Sequence, residues 1–164
     1  DNTETGDTDN TETGDTGVKI TPEQGNYEVI FRNFANDDCE AKETELKTFT
    51  GGNSGFHMVL YNGDLESTLF LDGQPIGKAQ KCQMNSTSYT CEVSTQTSSM
   101  KEYDATFLYT IDHTGQWDTN TEISGAMQYR ISCTGTECDE ANKRGNIAPK
   151  LPCKTNLLYA GSRH

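Results

Sequence analysis

From Ile123 to Cys133 every second residue is apolar or glycine. Ile123, Gly125, Met127, Tyr129, Ile131 and Cys133 alternate with Ser124, Ala126, Gln128, Arg130 and Ser132. A period of two sends one set to one face of an extended chain and the other set to the opposite face, which predicts a half-buried strand and is incompatible with a helix of period 3.6. The pattern recurs along the chain. Tyr27, Val29 and Phe31 form one face, as do Phe56, Met58 and Leu60, Tyr89, Cys91 and Val93, and Tyr103, Ala105, Phe107, Tyr109 and Ile111. A short apolar run, Leu69-Phe70-Leu71, precedes Asp72-Gly73. Asn62-Gly63 and Asp72-Gly73 suit the positive φ angles of tight hairpins. Asp112-His113-Thr114-Gly115 reads as a further turn, separating the Tyr103 strand from one that contains Trp117. Asp37 to Leu46 is the single helical candidate, with Asp38 as a cap but only Ala41 and Leu46 as an apolar face. Successive strands with short connections pair antiparallel. The predicted fold is all-β, an antiparallel meander of about seven or eight strands curled into a small barrel, with a β-sandwich as the alternative.

The N-terminus cannot join such a core. DNTETGDT occurs at Asp1–Thr8 and again at Asp9–Thr16, without an apolar side chain and with only acidic charges. A segment with nothing to bury is expected to be a solvated tether. Residues 1–16 are therefore read as an acidic, disordered tandem-repeat tether and residues 17–160 as one β domain. Residues 161–164 (Gly-Ser-Arg-His) have the composition of a cloning-linker or tag remnant. Of the net charge of −12, the six acids of the tether account for half. An acidic domain argues against nucleic acid and against anionic lipid as partners. No apolar run is long enough to span a bilayer.

Six scattered cysteines in a chain this small point to a disulfide framework formed in an oxidising compartment. Cys82 and Cys91 are symmetric about Asn85-Ser86-Thr87-Ser88 and would face each other across a hairpin. Cys133 and Cys138 would close a small loop, which leaves Cys39 with Cys153. No second close Cys/His couple accompanies either short spacing, so a structural zinc is not expected.

Candidate sites are few. The inward-facing aromatics and methionines either fill the core or line a pocket, and filling is the expected reading. Trp117, Tyr61, Tyr109, Phe107 and Tyr129 are the candidate ligand-binding residues, because rings near a barrel mouth or loop can stack on a ligand. For Trp117, the sole tryptophan, anchoring the core is the default reading. No catalytic residue, metal ligand or cofactor is expected: the acidic clusters do not match a calcium loop, Gly52-Asn53-Ser54-Gly55 is not a nucleophile elbow, and a serine hydrolase would need His57 or His113 beside both a nucleophile and an acid, for which no motif speaks. Asn85-Ser86-Thr87 is a formal glycosylation sequon, without meaning in a bacterial source.

The repeat Asp1–Thr16, giving way to domain-like sequence at Gly17-Val18-Lys19-Ile20, resembles the mature form of bacterial cell-surface lipoproteins, and the strand meander resembles lipocalin-like barrels. The first resemblance implies a lipid anchor upstream of Asp1 and a place at the cell surface, in the periplasm or on the outer membrane. The expected function is an exported, surface-tethered, non-catalytic domain that binds a small apolar or carbohydrate ligand or a protein partner. The alternative is a structural or adhesive subunit that assembles by strand addition, with Val18–Thr21 as the donated strand. An extracellular hydrolase is the distant third.

Overall fold

The computed structural model describes residues 19–40 and 53–164. Among these residues nine antiparallel strands follow one another: β1 (Gly25–Asp37), β2 (Gly55–Tyr61), β3 (Asp64–Leu71), β4 (Gln74–Asn85), β5 (Ser88–Cys91), β6 (Ser94–Ser99), β7 (Thr106–Trp117), β8 (Glu122–Thr134) and, after the helix α1 (Cys138–Gly145), β9 (Cys153–Arg163). Their order in the sheet is β5-β4-β3-β2-β1-β9-β8-β7-β6, and β5 also pairs with β7. That last pairing joins β5, at one end of the order, to β7, the last strand but one at the other. The result is a closed eight-stranded barrel with β6 as an extra strand, and the sandwich is excluded. Closure removes the open sheet edges wherever the ladder is continuous.

Local chemistry explains the hairpins. Asn62-Gly63 and Asp72-Gly73 all take positive φ, from 49° to 86°, the backbone that a two-residue turn between right-twisted strands requires. The β4–β5 turn is equally tight, with Ser86 at φ 56°.

The inward faces fill the barrel. Trp117, Tyr27, Tyr89, Tyr159, Phe31, Phe56, Phe107, Met58, Ile123 and Met127 are almost fully buried, so the aromatic set is core, as expected. Gly115 and Gly125 face each other across β7 and β8, flanked by Tyr89 and Tyr159 in the same row. A Cβ on Gly115 would run into the Tyr89 hydroxyl, and one on Gly125 into the Tyr159 hydroxyl. The two glycines thus make room for two tyrosine rings, which replace the packing they lack.

The three disulfides are those expected: Cys39–Cys153, Cys82–Cys91 and Cys133–Cys138. Several other expectations are corrected. Asp112–Gly115 is not a turn. β7 runs unbroken from Thr106 to Trp117 in continuous register with β8, because His113 is buried and Gly115 accommodates Tyr89. The turn falls at Asp118–Thr121 instead. Asp37 ends β1 and is followed by a turn rather than beginning a helix, while Ala41–Leu46 lies outside the described residues, as does the repeat at 1–16. Tyr103 sits in the turn before β7. Gly161–Arg163 belong to the folded barrel as the end of β9, paired with β1 and β8. Lys19–Thr21 is not a strand. Thr21 N–H donates to Asn120 Oδ1 and Glu23 N–H to Asn120 O, so this segment crosses the turn at one end of the barrel; Val18 lies outside the described residues. Among the described residues no helix is long and apolar enough to cross a membrane.

Candidate functional site

The barrel wall is complete at one end and split at the other. Near the β4–β5 turn, Cys82–Asn85 of β4 pair with β5, and Ser88–Thr90 of β5 pair with Thr114–Gln116 of β7. After Cys91 the chain parts from β4. Its last links across the fork are Glu92 N–H to Lys81 O (2.9 Å) and Gln80 Nε2 to Glu92 O (2.7 Å). Beyond the fork, among the described residues, β6 pairs only with Thr106–Ile111 of β7, and Gln74–Lys81 of β4 pairs only with β3. The Cys82–Cys91 disulfide joins the last β4–β5 pair before the fork.

The interior differs along the same axis. Trp117, Tyr27, Tyr89 and His113 at the closed end are essentially inaccessible. Tyr109 and Ile111 share the inward face of β7 with Phe107 and His113, yet stay half-buried, and Leu69, Leu71 and Phe34 are likewise partly buried against the core. Tyr109 and Tyr129 stack with centroids 6.4 Å apart and planes 21° from parallel. Burial raises the pKa of both hydroxyls, and for Tyr129 the neighbouring Tyr109 adds to the rise. Both stay neutral at physiological pH and can act as hydrogen-bond donors.

Three of the five predicted ligand-binding residues are therefore close together. Phe107, Tyr109 and Tyr129 lie on the inward faces of β7 and β8 toward the split end. Phe107 is fully buried, and Tyr129 retains 8% exposure. Trp117 belongs elsewhere. It is 1% exposed at the closed end, edge-on to Tyr27 and Tyr89, so it anchors the core and cannot stack on a ligand from solvent. Tyr61 is 66% exposed at the end of β2, at the closed end and apart from the other three. Half-buried Leu69, Leu71 and Ile111, absent from the sequence-based selection, join the split end. The apolar run before Asp72-Gly73 and the period of β7 carried that signal.

A polar chain runs through the closed half. Tyr159 donates to Thr114 O at 2.8 Å, which spends its only proton, so the 2.9 Å contact with Tyr89 has Tyr89 as the donor. His113 Nε2 lies 2.9 Å from Ser67 Oγ, and the ring stacks on Phe56 at 3.9 Å. Burial lowers the His113 pKa to about 3, so the imidazole is neutral and a weak base at neutral pH. The Ser67–His113 contact has the distance of a nucleophile–base pair. However, both groups are sealed from solvent, and His113 Nδ1 has no hydrogen-bond partner and so no carboxylate to orient it. His113 also lies within 4.8 Å of the Cys82 and Cys91 sulfurs, but these are bonded to each other and supply no thiolate for a metal.

On the outer wall, an open groove of about 740 Å³ passes over Gly115, Gly125 and Ala160, with Arg32 and Gln116 among its lining residues. A smaller one, of about 470 Å³, includes Arg130, Lys154 and Asp38. No protein family, curated protein or solved structure matches the chain.

Proposed function

We propose that this chain is an exported, surface-tethered and non-catalytic binding domain whose ligand, a small apolar or aromatic molecule, docks at the split end of the barrel against Tyr109 and Tyr129. One observation carries the reading: the wall lacks a β4–β6 ladder where inward-facing Tyr109, Ile111, Leu69 and Leu71 remain part-exposed. Apolar surface combined with a few polar handles is the usual makeup of a small-molecule site. The three disulfides are compatible with an oxidising or extracellular compartment. The lipid anchor and the cell-surface location rest on the resemblance of the repeat alone.

The test is titration with the apolar fluorophore anilinonaphthalene sulfonate, alongside native mass spectrometry for a retained ligand. Tyr109→Ala and Ile111→Ser should weaken fluorophore binding about tenfold, the loss of about 1.4 kcal/mol, while Tyr61→Ser leaves it unchanged. Equal affinity across all three variants would refute the site.

A second reading, assembly by strand addition, is favoured by one feature. β6 (STQTSS) is fully exposed and carries no charge and no proline, whereas the facing edge of β4 has Pro75, Lys78 and a positive-φ Gly77, devices that discourage pairing. If β6 recruits a strand, Thr95→Lys combined with Thr97→Lys converts an assembled species into a monomer in analytical ultracentrifugation. A wild-type chain that is already monomeric at high concentration removes this reading.

A further inference from the structure

Asn85-Ser86-Thr87 is the only Asn-x-Ser/Thr triplet in the chain, and the fold places it at the tip of the β4–β5 hairpin. Asn85 pairs with Ser88 as the last rung of the ladder. The backbone of the turn is held on both sides: Ser88 Oγ donates to Asn85 O at 3.0 Å, and Trp117 N–H donates to Thr87 O at 2.8 Å. Asn85 itself is exposed, and its carboxamide is in none of the side-chain hydrogen bonds of the hairpin. An acceptor amide on a fixed, protruding turn can carry a bulky polar substituent without displacing any core contact. The same chain forms three disulfides, chemistry that belongs to the compartment where such triplets are glycosylated in cells that perform the transfer.

We infer that Asn85 is the acceptor of an N-linked glycan. In the transfer, Asn85 Nδ2 forms a bond to the anomeric carbon of a lipid-pyrophosphate-linked oligosaccharide. The bond from that carbon to the phosphate oxygen breaks, the lipid pyrophosphate departs with the electron pair, and Nδ2 gives up one proton to a base. The product is a neutral glycosyl amide. Its position has a consequence for the surface. The β4–β5 turn is at the closed end, and Ser88 and Gln116, paired across β5 and β7, line the outer groove. A glycan on Asn85 stands over that end of the groove and leaves the split end clear.

The experiment secretes the full chain from a eukaryotic cell behind a cleavable signal and measures its intact mass before and after peptide-N-glycosidase. The expected result is one glycan per chain, removed by the enzyme, with Asn85 converted to Asp in the peptide map. Thr87→Ala abolishes the added mass, Thr87→Ser retains it, and Asn85→Gln abolishes it. The Thr87 pair keeps the test decisive if Asn85→Gln is secreted poorly. Secreted wild-type protein with three disulfides and the mass of the bare polypeptide overturns the assignment.

Discussion

The two ends of this barrel are built from the same alternating strands and differ in what completes the wall. At the closed end, β5 bridges β4 and β7, and the segment ahead of β1 is tied across the Asp118–Thr121 turn by Thr21, Glu23 and the Glu23–Arg163 ion pair. Under that cover Trp117, Tyr27, Tyr89, Tyr159 and His113 are sealed, their rings packed edge to face or stacked. At the split end β4 and β6 each pair on one side only among the described residues, and the inward residues keep some contact with water. The backbone there is held instead by α1 and two disulfides. Asp104 accepts from Thr136 N–H and Oγ1, which lowers the carboxyl pKa, and Asn142 makes two hydrogen bonds to Ala148. Complete burial of the inward residues is thus concentrated at one end, and accessible apolar surface lies at the other. That division is expected of a domain that must stay folded while presenting a site.

Mutations can break the contrast. The largest effect expected is loss of Cys39–Cys153, which spans 114 residues. By loop-closure entropy, Cys39→Ser with Cys153→Ser should lower stability by about 5 kcal/mol, against about 2 kcal/mol for the same change at Cys133 and Cys138, read from urea denaturation midpoints. Next, Trp117→Ala at the closed end should cost about 3–5 kcal/mol, and Tyr109→Ala at the split end about 1 kcal/mol or less. Equal costs would mean that the split end is as tightly packed as the closed one.

Acid should strike the closed end. His113 is neutral when folded, with its pKa depressed to about 3, whereas the unfolded chain takes up the proton near 6.5. Stability is therefore full above about pH 6.5 and falls as pH drops toward 3, by at most about 1.4 kcal/mol per pH unit from this group. His113→Phe removes that contribution to the pH profile of the thermal midpoint, and an unchanged profile would show that the imidazole is not buried as described. A comparable or smaller effect, about 1–3 kcal/mol, is expected for Gly125→Ala, whose methyl would overlap the Tyr159 hydroxyl. Gly73→Ala, with open space around it but φ at 75°, should cost about 1 kcal/mol through backbone strain alone.

The sequence revealed most strands with one buried face, and the hairpins wherever Asn-Gly or Asp-Gly set the backbone, but not β9, whose buried set Cys153, Thr155, Leu157 and Tyr159 includes a polar residue that blurs the apolar period. The disulfides followed from that plan, since Cys82 and Cys91 are equidistant from their turn. It misled at Asp112–Gly115, where local turn preference was outweighed by burial of His113 and the tight seat of Tyr89. That misplaced turn also separated Trp117 from His113, although the period of two puts both on the inward face. α1 escaped notice because Ala141 is its only buried apolar residue. Its charges did mark it, with Asp139 and Glu140 in the first turn and Lys143 and Arg144 in the last, as the helix dipole favours. The split was not legible at all. Ser94–Ser99 has no apolar alternation, because neither of its faces is buried.

The Cys82–Cys91 bridge lies where the slit in the barrel begins. A tear in any sheet advances by parting the next rung at its tip, and here the next rung is covalent. Without this one bond, the rungs from Cys82 to Asn85 would be held at the tip of the slit by hydrogen bonds alone.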